Sequence, residues 1–168
     1  MGTKKHKAGA PQRVKVGIVS VSSTRTLQND KSGLWIGKLA RKEGHEVVLH
    51  LVVPDDAETI TRTVLEAVRD HKAEAILLTG GTGISSKDVT IEAVRPLFAK
   101  ELTAFGPLFS QLSFEQIDSA ALLSRATAGV FENTILFCMP GSLKACKLAC
   151  QALIFPELGH LVKHIQET

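Results

Sequence analysis

Apolar and polar positions fall in blocks along the chain, and each block keeps one period. Residues 13–21 start polar at Arg13 and then run Val16-Gly-Ile-Val-Ser-Val without a break. Such a β-branched run suits a strand buried on both faces. Residues 22–30 are a polar loop rich in Ser and Thr. From 31 to 43, Leu34, Trp35, Leu39 and Ala40 lie near helical spacing, and Gly44 stands where a C-terminal glycine ends a helix. Residues 46–53 predict a second strand, closed by Pro54. Asp55-Asp56 opens a helix over about 57–71, with Ile60, Val64, Leu65 and Val68 in period. Ala75-Ile-Leu-Leu-Thr is a third strand, broken by Gly80-Gly-Thr-Gly. A short helix starts near Thr90 and ends about Pro96.

This alternation predicts right-handed βαβ units and a parallel sheet covered by helices. Residues 102–124 read as one or two helices. Residues 126–130 and 134–139 read as two short strands around Glu132-Asn133, the second ended by Pro140-Gly141. Residues 143–165 are helical, interrupted or bent near Pro156. There is no internal repeat and no low-complexity segment.

Length and composition narrow the picture. A chain of 168 residues, 44% hydrophobic and 22% charged, is globular material of about one domain. The net charge of +3 is supplied in part by Lys4, Lys5 and Lys7, so the body is close to neutral. Neither that charge nor the aromatic content, with no Tyr and one Trp, makes a case for nucleic acid. No stretch is long and apolar enough to span a membrane, and no apolar run follows the first lysines as in a signal peptide. Residues 1–12 are expected to be a flexible arm or partner-binding extension, residues 13–168 a single domain, and the location cytoplasmic. The odd set Cys138, Cys146 and Cys150 predicts small buried hydrophobes in a reducing compartment.

Ligands of open parallel sheets bind beyond the carboxyl ends of the strands. Three polar features fall there: Ser20, Ser22, Ser23 and Thr24, then Asp55-Asp56, then Thr79 to Gly83. Gly80-Gly-Thr-Gly reads either as a nest of backbone N–H groups for an anion or as a tight turn needing positive φ. It is neither a Walker A loop nor a dinucleotide fingerprint. Asp88 is either a helix N-cap or a carboxylate orienting Mg²⁺ or a substrate ring. Of Asp55 and Asp56, one caps the following helix and leaves the other free for Mg²⁺. Ser124-Arg125 precedes a strand, and its Arg either clamps a phosphate or forms a surface ion pair. Pro140-Gly-Ser offers free amides at a helix start or a plain Ser cap. The six histidines are scattered; His160 and His164 share a helix face at i, i+4 but lack a third ligand, and read as surface.

Together these segments resemble a known family. Val16-Gly-Ile-Val-Ser-Val-Ser, Val53-Pro-Asp-Asp, Leu78-Thr-Gly-Gly-Thr-Gly, Lys87-Asp-Val-Thr, Leu123-Ser-Arg-Ala and Met139-Pro-Gly-Ser are similar to the MoaB/MogA family of molybdenum cofactor biosynthesis, over about residues 14–162. The stretches at 121–130 and 156–160 resemble the MoaB branch. The resemblance implies a three-layer αβα domain with a mainly parallel sheet that binds molybdopterin, a pterin dithiolene with a terminal phosphate. Its catalytic members adenylylate that phosphate with Mg-ATP and release pyrophosphate. Carried over by motif, Asp55 and Asp88 are the catalytic and Mg²⁺-binding carboxylates. Thr79, Gly80, Gly81, Thr82, Gly83, Ser20, Ser22, Ser124, Arg125, Pro140, Gly141 and Ser142 are the substrate-binding positions. The chain departs from the pattern at Pro107, where Glu is usual, and at Ser110, where Arg is usual. The family also implies a homotrimer or homohexamer and possible contacts with other proteins of the pathway. The alternatives are a non-catalytic molybdopterin carrier and an oligomeric scaffold using residues 102–123 and the arm as its interface.

Overall fold

Strands that alternate their side chains between two apolar faces need helices on both sides, and the chain supplies them. The computed structural model describes residues 9–167. The expectation for the arm at 1–12 therefore lies outside the described residues except for 9–12, which run beside the last helix: a Cβ on Gly159 would meet the Pro11 carbonyl oxygen at 2.5 Å.

The elements are β1 (Lys15–Val21), α1 (Lys31–Lys42), β2 (Glu46–Val53), α2 (Ala57–Arg69), β3 (Ala75–Thr79), a short α3 (Thr90–Val94) and β4 (Lys100–Glu101). They continue with α4 (Phe105–Ile117), β5 (Thr127–Phe131), β6 (Thr134–Met139), α5 (Leu143–Ala149) and α6 (Leu158–Gln166). The six-stranded sheet has the order β2-β1-β3-β6-β5-β4. The pairs β1–β2, β1–β3 and β3–β6 are parallel, whereas β5 and β4 add on antiparallel.

Two cores flank this sheet. Val16, Ile18, Leu77, Phe137 and Met139 point to the side covered by α1, α4, α5 and α6. Val19, Val21, Ile76, Leu78 and Cys138 point to the side covered by α2 and α3. The fold is a three-layer αβα sandwich with a mainly parallel sheet, as the alternation and the resemblance imply. Among the described residues no helix is long and apolar enough to cross a membrane.

Some local expectations change. The inward face of α1 carries Ser32, Gly33, Ile36, Gly37 and Ala40, while Leu34 is 42% exposed. Gly33 is required on that face because the helix passes close to β1: a Cβ there would come within 2.8 Å of Ser20 Oγ. The segment at 102–124, read as one or two helices, forms α4 and a 3₁₀ stretch (Asp118–Leu123). The two-residue β4 has no period to read. The bend expected near Pro156 begins earlier, in a π-turn (Cys150–Ile154) where the Phe155 amide donates to the Cys150 carbonyl at 3.0 Å. Pro156 has no N–H to continue the ladder and stops the helix there.

Gly129 on β5 faces the ring of Phe98, and an ideal Cβ at that position would come within 2.3 Å of it. Gly129→Ala is expected to lower unfolding stability by about 1–3 kcal/mol, the usual cost of overpacking. Urea unfolding of Gly129→Ala, Phe98→Ala and the double variant checks it: the double variant should fall well short of additivity.

Candidate functional site

The chain runs from β1 outward to β2 and then crosses back past β1 to β3. The sheet order therefore reverses between β1 and β3, and the loops leaving their carboxyl ends diverge to open a crevice. An open cleft of about 390 Å³ lies there, lined by residues of the loop after β1 (Ser22, Ser23, Thr24 and Arg25), by Asp55, Gly80, Gly81 and Lys87, and by Gly141 and Ser142.

Glycine shapes its floor. Gly80 has φ +97°, and a Cβ there would strike the Val21 carbonyl oxygen at 2.3 Å. Gly81 has φ +64°, and its Cβ would strike Thr90 Oγ1 at 2.3 Å. The Gly80 amide is spent on the Met139 carbonyl at 3.0 Å. Thr90 closes the turn from below, its hydroxyl donating to the Gly80 carbonyl (2.8 Å) and its amide to the Gly81 carbonyl (2.9 Å). Gly80 thus serves the tight turn. The Gly81 amide makes no hydrogen bond among the described residues, and Gly81 lines the cleft, so this amide is left to meet an anion, whereas Thr82 is buried behind it.

The two adjacent aspartates divide their work. Asp56 Oδ2 accepts from the amide (2.8 Å) and hydroxyl (2.6 Å) of Thr59 and caps α2. Asp55 Oδ2 accepts from the Ser23 amide (2.8 Å) and hydroxyl (2.7 Å), pinning the β1 loop across the crevice. Asp55 Oδ1 takes no hydrogen bond among the described residues, and it lies 3.5 Å from the place a Gly81 Cβ would occupy.

Most of the other expected site residues are engaged in holding the structure, although Ser22, Gly141 and Ser142 also line the cleft. Ser20, Thr79 and Thr82 are buried in the walls. Thr79 donates to the Pro140 carbonyl at 3.0 Å. Ser142 caps α5 through the Ala145 amide at 3.2 Å. Asp88 does not cap α3, whose N-cap is Val89. It closes its own loop by accepting from the Ser85 amide at 2.9 Å, beneath Gly83. Arg125 is committed as well: Nε donates to the carbonyls of Thr82 and Gly83, each at 3.0 Å, and Nη1 to Glu92 at 2.6 Å. Ser124 and Arg125 line a second, larger concavity of about 770 Å³ beside the cleft, together with Pro107, Ser110, Phe114 and Leu122. Gly83, Asp88 and Arg125 form the partition between the two hollows.

Several cleft residues were not singled out by sequence reasoning. Arg25 and Lys87 are the cations of the small cleft. They are isolated in the sequence, and only the meeting of strand ends reveals them. Asp30 is fully buried beneath the β1 loop, where its Oδ2 meets the Ser20 hydroxyl (2.6 Å) and His50 Nε2 (2.9 Å), and its Oδ1 accepts from the Gly33 amide (3.1 Å). Burial works to raise its pKa, but the Ser20 hydroxyl, His50 and the Gly33 amide outweigh it and hold the carboxyl below its ordinary value. An Asp three residues before a helical amide is an N-cap signature that was open to sequence reading. Ser32 (2.9 Å) and Arg25 (3.2 Å) both donate to the Gly141 carbonyl and tie the β1 loop to the turn after β6. The three cysteines are free and buried. Burial pushes Cys138 up to about 12, so it is a packing residue and not a nucleophile.

The Ser85 hydroxyl, opposed by some desolvation and helped by the Ser85 and Gly83 amides and Arg125, holds Asp88 below the ordinary 3.8. A carboxylate with a depressed folded pKa contributes stability that is complete above the unfolded value and lost as pH falls through the folded one. Asp88→Asn is expected to be less stable than the parent at pH 6, with the gap closing below 3.8. Thermal unfolding from pH 6 to pH 2.5 checks this, and a gap that persists unchanged at the acid end contradicts it.

The match to known proteins is extensive. A family model described as a probable molybdopterin binding domain matches residues 17–160. Molybdenum cofactor biosynthesis protein B of Bacillus subtilis (strain 168) is 46% identical over 168 residues, covering 99% of this chain and 99% of that protein. The crystal structure of a molybdenum cofactor biosynthesis protein B superposes with TM-score 0.91 at 42% identity, covering 95% of this chain and 99% of that one. That of the tungsten cofactor synthesizing protein MoaB from Pyrococcus furiosus gives TM-score 0.85 at 37% identity, covering 94% and 100%. With a switch-point cleft, an open carboxylate and this extent of similarity, the chain belongs to the MoaB branch of the molybdenum cofactor biosynthesis family.

Proposed function

We propose that the protein binds molybdopterin and transfers an adenylyl group from ATP to its terminal phosphate. The observation that carries this reading is the free Asp55 Oδ1 beside the unpaired amide of Gly81. In the reaction a terminal phosphate oxygen attacks the α-phosphorus of ATP, a P–O bond forms, the α–β anhydride breaks and pyrophosphate leaves. Such a transfer needs placement and charge neutralisation more than covalent chemistry. Gly81 offers its amide to phosphate oxygens, and Arg25 and Lys87 offer positive charge.

The donor set also fits Mg²⁺. Among the described residues no three carboxylates, histidines or cysteines gather as a metal cage. Mg²⁺ characteristically keeps waters and takes one or two carboxylates plus substrate phosphates. Asp55 would hold it through Oδ1, with Asp88 the second acidic group of the region. When bound, it supplies charge neutralisation on the phosphates. Asp55 meanwhile holds the Ser23 loop, so it fixes one wall of the cleft at the same time.

A second reading, a molybdopterin carrier without transfer chemistry, is favoured by Pro107 and Ser110. Both line the larger concavity and leave it without the charges the family usually places there. We also place the protein in the cytoplasm as a homotrimer or homohexamer, with contacts to other proteins of the pathway. Leu108, Phe114, Ile117, Leu122 and Leu123 are exposed on the 105–123 segment, and Leu122 reaches 84%. A run of this kind suits a contact between copies. Sedimentation is expected to give a species of three or six chains, and a monomer at micromolar concentration contradicts the assembly.

Asp55→Asn keeps an acceptor for the Ser23 amide but removes the charge, while Asp55→Ala removes both. Both variants are expected to lose pyrophosphate release from Mg-ATP and molybdopterin by about 10²-fold or more, the size typical of removing transition-state charge stabilisation. Molybdopterin binding should survive in Asp55→Asn. Full turnover in both variants excludes the transferase assignment. Molybdopterin bound by the parent chain with no pyrophosphate released establishes the carrier.

A further inference from the structure

Away from the cleft, α6 carries two histidines whose rings meet. His160 and His164 lie one turn apart, with Nε2 atoms 2.9 Å from each other and ring centroids 4.6 Å apart. Each Nδ1 faces a carboxylate. His160 Nδ1 is 3.2 Å from Glu157 Oε2, and His164 Nδ1 is 3.3 Å from Glu167 Oε2. A carboxylate at Nδ1 keeps the proton on that nitrogen and leaves the lone pair on Nε2. The 2.9 Å contact is that of one ring N–H donating to the other ring's nitrogen, and a metal ion that takes the place of that proton would be held by both Nε2 atoms.

We propose that His160 and His164 form a two-imidazole site for a divalent transition cation that favours nitrogen ligands, Cu²⁺ ahead of Zn²⁺. Imidazole nitrogens bind such ions at about 2.0–2.1 Å, so bond angles between square and tetrahedral need a nitrogen separation of about 2.9–3.4 Å. The observed gap meets that need with only small ring movements. The two carboxylates at Nδ1 supply the outer hydrogen bonds that orient metal-binding imidazoles. The His164 side chain is 59% exposed and that of His160 24%, so water has access to the remaining coordination positions. Lys163, 3.6 Å from Glu167 Oε1, is the neighbouring positive charge and tempers the attraction. Among the described residues no third protein ligand joins the pair. Affinity then follows the Irving–Williams order, and a hard cation such as Mg²⁺ is not retained.

The test uses the full chain titrated with Cu²⁺, and separately with Zn²⁺, at pH 7.5. Expected are one Cu²⁺ per chain at the pair, an electron paramagnetic resonance spectrum with nitrogen splitting from two imidazoles, and a rise in Tm with metal. His160→Gln and His164→Gln should each weaken Cu²⁺ binding by at least about tenfold, through loss of one of two chelating nitrogens. His71→Gln should leave it unchanged. Circular dichroism of both variants separates loss of the site from loss of the fold. Binding that survives in the double variant belongs to another group, such as His6 or the terminal amine, and overturns the proposal. So does a parent chain that binds no Cu²⁺, in which a proton alone bridges the rings.

Discussion

The passage of Gly80 against β1 is the constraint on which the site depends. Its Cα lies so close to the Val21 carbonyl that no side chain fits, and a Cβ on Gly141 would sit 3.1 Å from Gly80 Cα in turn. Three strand ends, those of β1, β3 and β6, are thereby drawn together at one point. Hydrogen bonds fix the contact: the Gly80 amide reaches Met139, and Arg25 and Ser32 both reach Gly141. Loops that leave so tight a knot must splay, and the crevice is the space between them. Only glycine meets the combined demands of positive φ and close backbone approach at Gly80.

The architecture was legible because its elements carry long, single-period signals. The strands at 46–53 and 75–79 fall where their β-branched and apolar runs stand, and the αβα layering follows from alternation. What was not legible is short or tertiary. Two residues of β4 show no period. Of the apolar positions read in α1, Ala40 is buried and Trp35 and Leu39 pack against the core, whereas Leu34 is exposed, and Gly33 takes the place nearest β1. At the site, the sequence placed Asp55 and Gly81 on the correct edge. It did not separate donors facing the cleft from donors spent within the walls, since Arg125 and Thr82 look equally free until their partners are known. Arg25 and Lys87 show the converse, ordinary surface cations in the sequence that become neighbours only when loops sixty residues apart meet.

The buried layer under the cleft explains how an exposed loop holds its shape. Asp30, Ser20 and His50 satisfy one another, and no buried side-chain nitrogen or oxygen among the described residues lacks a partner. An unpaired carboxylate at that depth would cost several kcal/mol by about the usual desolvation penalty, so the network is tightly specified. Gly33 belongs to it for a steric reason: a Cβ there would collide with Asp30, His50 and Ser20 together. Cleft-lining groups such as Ser22 and Ser23 thus stand on a polar layer whose buried side chains are all hydrogen-bonded.

The partition between the two hollows then acquires a role that neither hollow shows alone. Arg125 reaches from the larger concavity to the carbonyls of Thr82 and Gly83, and Asp88 holds the same loop from the other side. With those carbonyls and the Gly83 amide engaged, the Gly81 amide is the one the loop leaves open on the cleft side. An anion in the small cleft and a body in the large concavity would therefore press on opposite faces of one loop. Glu92 fixes Arg125 through a 2.6 Å contact, so the position of that loop depends on an ion pair whose arginine lines the larger concavity.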